Sequence, residues 1–118
     1  MSKYVKDFKA CSFESRKAEA TRLTEKYPDR CCIIVGKNNS SDIQDISKHK
    51  FLVPRGLTMS QFQYVIRKKI SCRPEQGIFM FVNNKLTANT HTVGSVFDEN
   101  KSDDGFLYVV YSGENTFG

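Results

Sequence analysis

No stretch of the 118 residues is apolar for long enough to cross a membrane or to act as a secretory signal, and the opening MSKYVKDFKACSFESRK is interrupted by charge every few residues. A glycine-rich phosphate loop is missing. No cysteine, histidine and acid stand in a context that marks a nucleophile, so an enzymatic reading has little support. His49 and His91 stand alone without ligand spacing, and neither a metal nor another cofactor is expected. The four cysteines, Cys11, Cys31, Cys32 and Cys72, form no C-x-x-C pair. Cys31 and Cys32 are neighbours, so on a strand they point to opposite faces and do not bridge. Free thiols in a reducing cytosol are the economical reading.

What is present suits one compact domain: 39% hydrophobic and 26% charged residues, with a net charge of +5. The charge is unevenly spread. Residues 1–30 carry net +3, residues 31–73 net +6, and residues 74–118 net −4. A basic middle and an acidic end favour acidic partners or anionic surfaces. Aromatic residues interleave poorly with Arg67, Lys68, Lys69 and Arg73, so no nucleic-acid partner is expected.

Helical spacing follows Ser12, a plausible N-cap, through Phe13, Ala20, Leu23 and Tyr27 until Pro28 ends it, and a shorter helix precedes it over Lys3–Lys9. Residues 31–35 are an apolar, β-branched strand stopped by Gly36, and Lys50–Pro54 is a second strand whose proline suits an edge. Thr58 and Gln61 form a capping box. The helix it opens carries Phe62, Val65, Ile66, Lys69 and Ile70 on one stripe, with Arg67 and Lys68 toward water. Residues 77–82 read as a buried central strand. Asn83-Asn84 turns the chain into a short return strand, Lys85–Leu86. A short helix within residues 92–100 and a strong strand over residues 106–111 complete an α+β order.

Several segments resemble one family. Tyr27-Pro28-Asp29-Arg30, the strand Lys50-Phe51-Leu52-Val53-Pro54, and Leu57-Thr58 through Gln61-Phe62 match its pattern. Val65-Ile66-Arg67-Lys68-Lys69-Ile70, Phe81-Val82-Asn83-Asn84 and the run from Asp104-Gly105-Phe106 to Thr116-Phe117-Gly118 match it too. In that order and spacing they look like the GABARAP family of ubiquitin-like autophagy modifiers, over a span from about Phe8 to Gly118. The resemblance implies a ubiquitin-type β-grasp: a mixed four-stranded sheet with a crossing helix, preceded by two N-terminal helices. The single domain divides into a helical extension (1–28), a β-grasp core (31–111) and a flexible conjugation tail (112–118).

The resemblance also implies a modifier that is not an enzyme, attached through Gly118 to the amine of phosphatidylethanolamine. Glycine suits this use, because a tail without a Cβ enters a narrow groove and presents an unhindered carboxyl. Implied partners are an activating enzyme, a conjugating enzyme, a processing and deconjugating cysteine protease, and receptors and adaptors bearing aromatic-x-x-aliphatic motifs. The implied location is cytoplasmic when unconjugated and the autophagosome membrane when lipidated. A different ubiquitin-like protein modifier, or a non-conjugated peptide-binding module, is the alternative.

An edge strand offers unpaired N–H and C=O groups to an extended peptide, with flanking pockets choosing its side chains. Carried over from the family, the aromatic pocket is Glu19, Leu23, Cys32, Lys50, Leu52 and Phe106. The aliphatic pocket is Phe51, Val53, Pro54, Leu57, Phe62 and Val65, with Arg30, Lys48 and Lys69 meeting an acidic flank alongside Lys50. Phe62 and Val65 compete for a place in the core. Leu52→Arg or Phe51→Ala is expected to weaken peptide binding without unfolding the domain. Four places depart from the family: Cys32 where proline is usual, Phe51 where tyrosine is commoner, Thr87-Ala88-Asn89 in place of a proline-containing loop, and residues 1–10 generally.

Overall fold

The computed structural model describes residues 2–114. In chain order the elements are α1 (Lys3–Lys9), α2 (Phe13–Lys26), β1 (Arg30–Lys37), β2 (Lys50–Pro54), α3 (Met59–Lys69), β3 (Phe79–Val82), β4 (Lys85–Leu86), α4 (Val93–Asn100) and β5 (Leu107–Ser112). Two helices start at the caps read from sequence, and Thr92 caps a third. The Ser12 hydroxyl accepts from Ser15 N–H, Thr92 from Ser95 N–H, and Thr58 and Gln61 complete their reciprocal box. The strands form one mixed sheet in the order β2-β1-β5-β3-β4, with β1 and β5 parallel and every other pair antiparallel.

The sheet has five strands rather than four. Asn83 and Asn84 take φ of 52° and 65°, the left-handed pair that a two-residue hairpin requires, and so Lys85–Leu86 pairs with Val82 and Phe81. The last strand also runs one residue beyond the expected core. Ser112 is paired in β5 and buried, so it belongs to the sheet and not to the tail.

Strand alternation divides the interior into two layers. Cys31, Ile33, Val35, Phe51, Val53, Leu107, Val109 and Tyr111 face α3 and α4, where Met59, Phe62, Ile66 and Phe97 complete the larger core. On the opposite face Cys32, Ile34, Phe106 and Tyr108 meet Val5 and Ala20 from the N-terminal helices. Cys31 and Cys32 therefore sit in different layers, and all four cysteines are free.

Two side chains take sides opposite to the periodicity reading. Phe13 is 48% exposed at the start of α2. Arg67 does not extend to water: its guanidinium donates to the carbonyls of Arg73 (3.1 Å) and Gln76 (2.6 Å), holding the 71–77 loop against α3. No helix among the described residues is long and apolar enough to cross a membrane.

Candidate peptide-docking edge

β2 is an outer strand of the sheet, and its register against β1 determines what it offers. Val35 N–H donates to the His49 carbonyl (2.8 Å) and Arg55 N–H to the Asp29 carbonyl (3.2 Å), so odd-numbered residues hold the hydrogen-bonded positions of the pair. Phe51 and Val53 accordingly turn their backbone groups inward to β1. Lys50 and Leu52 turn their N–H and C=O groups outward, away from the sheet. Pro54 ends this rail: it has no N–H, and its carbonyl accepts from Leu57 N–H (3.2 Å).

Side chains follow the same alternation. Lys50 and Leu52 face the N-terminal helices and, with Glu19, Leu23, Arg30, Lys48, Phe51 and Phe106, line a cleft of about 410 Å³. Five of the six residues assigned to the aromatic pocket thus converge. The sixth, Cys32, is buried beneath them beside the Thr24 hydroxyl (4.0 Å), packed with Phe106 and Leu52. Arg30 and Lys48 from the acidic-flank set also line the cleft. Lys69 is exposed in the last turn of α3, where a cation complements the negative helix end.

The aliphatic half divides between surface and core. Phe62 is 1% exposed, and Phe51 meets it edge to face at 5.8 Å, so Phe51, Val53 and Phe62 belong to the main core. Leu57 and Val65 lie partly buried over that core, and Pro54 is exposed. The reason is register: the odd face of β2 is the one α3 covers.

The cleft holds three cations against one carboxylate. Lys50 Nζ bridges Glu19 Oε2 at 3.0 Å, with the two side chains 48% and 25% exposed, so opening the pair costs only about 0.2–1 kcal/mol. An acidic ligand can therefore take over Lys50. The ammonium also sits 5.2 Å from the centre of the Phe8 ring, and Phe8 packs edge to face on Phe106 at 5.3 Å. Phe8 thus supports two lining residues, Lys50 and Phe106, a contact that the sequence reading missed. Its signal is the spacing Tyr4, Val5, Phe8 along the first helix, which places an apolar stripe against the sheet.

Close contacts set α2 as the other wall. A Cβ on Gly105, whose φ is +92°, would lie 2.8 Å from the Ala20 Cβ, so the two small residues permit the approach. Arg16 on α2 then reaches Asp104, 88 residues away, at 2.5 Å; Tyr108 donates to the same carboxylate, and Asp104 Oδ1 accepts from Phe106 N–H. Burial, chiefly, raises the Tyr108 phenol well above its ordinary value, with the Asp104 contact adding to it.

The thiols near this site are inert in the folded state. Burial pushes Cys31 up from 9.0 to about 11 and raises Cys32 too. The folded chain holds the Cys31 proton more tightly than the unfolded one. This contribution to stability is complete below pH 9 and is lost as pH climbs through 11. Denaturant midpoints are expected to fall from pH 8.5 to pH 10.5. Iodoacetamide at pH 8 should label exposed Cys11 and spare Cys31 and Cys32 until unfolding; equal labelling of all three in the native protein would contradict this burial.

Gly118, the assigned attachment point, lies outside the described residues. Among the described residues, no group of three or more His, Cys, Asp or Glu is placed to hold a metal ion.

Comparison with known proteins gives a consistent result. Residues 15–118 match the family model described as autophagy protein Atg8 ubiquitin like. The chain is 54% identical over 107 residues to autophagy-related protein 8 of Mycosarcoma maydis, covering 91% of each. It is 50% identical over 117 residues to autophagy-related protein 8 of Schizosaccharomyces pombe, covering 99% of this chain and 94% of that one. The crystal structure of Trypanosoma brucei ATG8 superposes with a TM-score of 0.89 at 39% identity, covering 100% of this chain and 99% of that one.

Proposed function

The chain belongs to the Atg8 family of ubiquitin-like autophagy proteins, and from that premise we propose that it is a lipid-conjugated modifier that captures receptors along β2. The observation that carries the second half is the β2 edge, where the outward backbone groups of Lys50 and Leu52 run beside a cationic, apolar-walled cleft. An extended peptide adds there as a further strand. Its aromatic side chain enters the cleft between Leu23, Leu52 and Phe106, and its aliphatic residue rests on Leu57 and Val65 at the rim of the core. Acidic residues preceding the motif meet Arg30, Lys48 and Lys50, where they raise the association rate and selectivity more than the affinity.

Conjugation occurs at the carboxyl of Gly118. An activating enzyme transfers AMP from ATP to that carboxylate, and pyrophosphate leaves. An enzyme thiol displaces AMP to form a thioester, which passes to a conjugating enzyme. The amine of phosphatidylethanolamine then displaces the thiol and leaves an amide. The product carries two acyl chains, which anchor it far more durably than one. A cysteine protease hydrolyses the same position to process or release the modifier, so the protein divides between cytoplasm and autophagosome membrane.

Mass spectrometry of the cellular protein tests the reading: a species heavier by phosphatidylethanolamine is expected, and deletion of Gly118 should abolish it. Equal conversion of the truncated chain would rule out this attachment. Calorimetry with an aromatic-x-x-aliphatic peptide tests the docking edge on the same preparation.

A further inference from the structure

The chain leaves the fold through a slot that is hydrogen-bonded on purpose-built lines. The 38–46 loop is tied to the end of β5 twice: Asn38 N–H donates to the Tyr111 carbonyl (2.8 Å), and the Tyr111 hydroxyl donates to the Gln44 carbonyl (2.8 Å). Across the slot the 71–77 loop is held by Arg67. On the 38–46 side stands Ser41, only 3% exposed, 72 residues from Gly113 in sequence. Its Oγ accepts from Gly113 N–H at 3.0 Å and from Ile43 N–H at 3.2 Å, and its carbonyl accepts from Lys37 Nζ at 2.8 Å.

Gly113 fits the slot closely. A Cβ there would lie 3.0 Å from Gln76 Nε2 and 3.4 Å from Ser41 Oγ. Immediately beyond, Glu114 is folded back: its carboxylate accepts from the Ser112 hydroxyl at 2.8 Å and its N–H donates to the same oxygen at 3.2 Å. Hydrogen bonds from Ser112 first and Ser41 second hold the Glu114 carboxyl below its ordinary range.

We propose that Ser41 is a positioning residue for the chemistry at Gly118: by holding Gly113 it fixes the point at which the chain leaves the sheet, so that the enzymes acting on the terminal carboxyl meet the tail's root in one place. This inference rests on the conjugation reading above. A tail whose root is fixed has fewer conformations to give up when it enters a catalytic groove, and the competent fraction of free protein is larger. In the sheet β1 lies between β5, where the slot opens, and β2, so the root of the tail and peptide capture are tested separately.

The test uses the full chain, ATP and the activating enzyme, and reads the initial rate of thioester formation against protein concentration. Ser41→Ala is expected to raise KM about two- to tenfold, the range for one lost hydrogen bond, with kcat unchanged. Ser41→Thr, which keeps the hydroxyl, should return KM toward the starting value. Peptide affinity at the cleft and the melting temperature are measured on the same samples. An unaltered KM in Ser41→Ala overturns the proposal, and so does a KM change matched by equal losses in peptide affinity and melting temperature. Failure of the unmodified chain to form any thioester overturns the conjugation reading and this proposal together, which distinguishes the two failures.

Discussion

Asp104→Ala is expected to destabilise the fold by about 3–5 kcal/mol, the cost of breaking a buried ion pair by removing one partner. Asp104 is 1% exposed and takes three donors: Arg16 Nη1 at 2.5 Å, the Tyr108 hydroxyl, and Phe106 N–H at 2.9 Å. The loss arises less from the attraction removed than from what is left behind. An Arg16 side chain only 15% exposed, and a largely buried phenol, would keep their desolvation without their acceptor. For a chain of this size the change corresponds to a fall in Tm of roughly 10–20 °C. Asp104→Asn, which retains an acceptor for Phe106 N–H, should lose less. Equilibrium denaturation of both, beside Asp103→Ala on the exposed neighbouring residue, decides the matter. If Asp104→Ala costs no more than Asp103→Ala, the carboxylate does not hold α2 to β5.

That network also marks the limit of reading this chain as letters. The features legible in the sequence are local. The Thr58 and Gln61 capping box and the Ser12 cap arise from side chains bonding backbone three residues away, and the Asn83-Asn84 turn from two adjacent residues that tolerate positive φ. Their spacing is therefore their signature. Alternation likewise foretold that Cys31 and Cys32 part to opposite layers. Contacts across long separations carry no such mark. Arg16 finds Asp104 only once Ala20 and Gly105 have let α2 approach β5, and Ser41 finds Gly113 only once β5 has paired with β1.

The same distinction runs through the candidate site. Alternation in β2 places Leu52 on the face opposite Phe51 and Val53, but it does not say which face α3 covers. Periodicity identified a stripe on α3 and a stripe on α2. It did not reveal that Arg67 turns back to hold a loop, or that Phe8 packs on Phe106 while Phe13 stays exposed. Local sequence determines which face of an element is apolar; which faces meet depends on how the elements share one sheet.

That sheet separates two substitutions expected from the sequence alone to weaken peptide binding alike. Leu52→Arg should lower affinity for an acid-flanked aromatic-x-x-aliphatic peptide by about ten- to a hundredfold, since it removes one apolar anchor worth roughly 1.5–3 kcal/mol. It also adds a fourth cation beside Arg30, Lys48 and Lys50 where the aromatic ring must enter. Leu52 is only partly buried and lies on the cleft face, so the melting temperature should barely move. Phe51→Ala is different in kind. Its ring is 8% exposed and packs edge to face on Phe62, so truncation leaves a cavity in the main core and costs about 3–5 kcal/mol. Binding is then lost along with the fold, rather than apart from it. Calorimetry and thermal melts on both variants separate the cases: reduced binding at constant Tm for Leu52→Arg, a lowered Tm for Phe51→Ala. Peptide affinity undiminished in Leu52→Arg would remove the cleft from the docking surface.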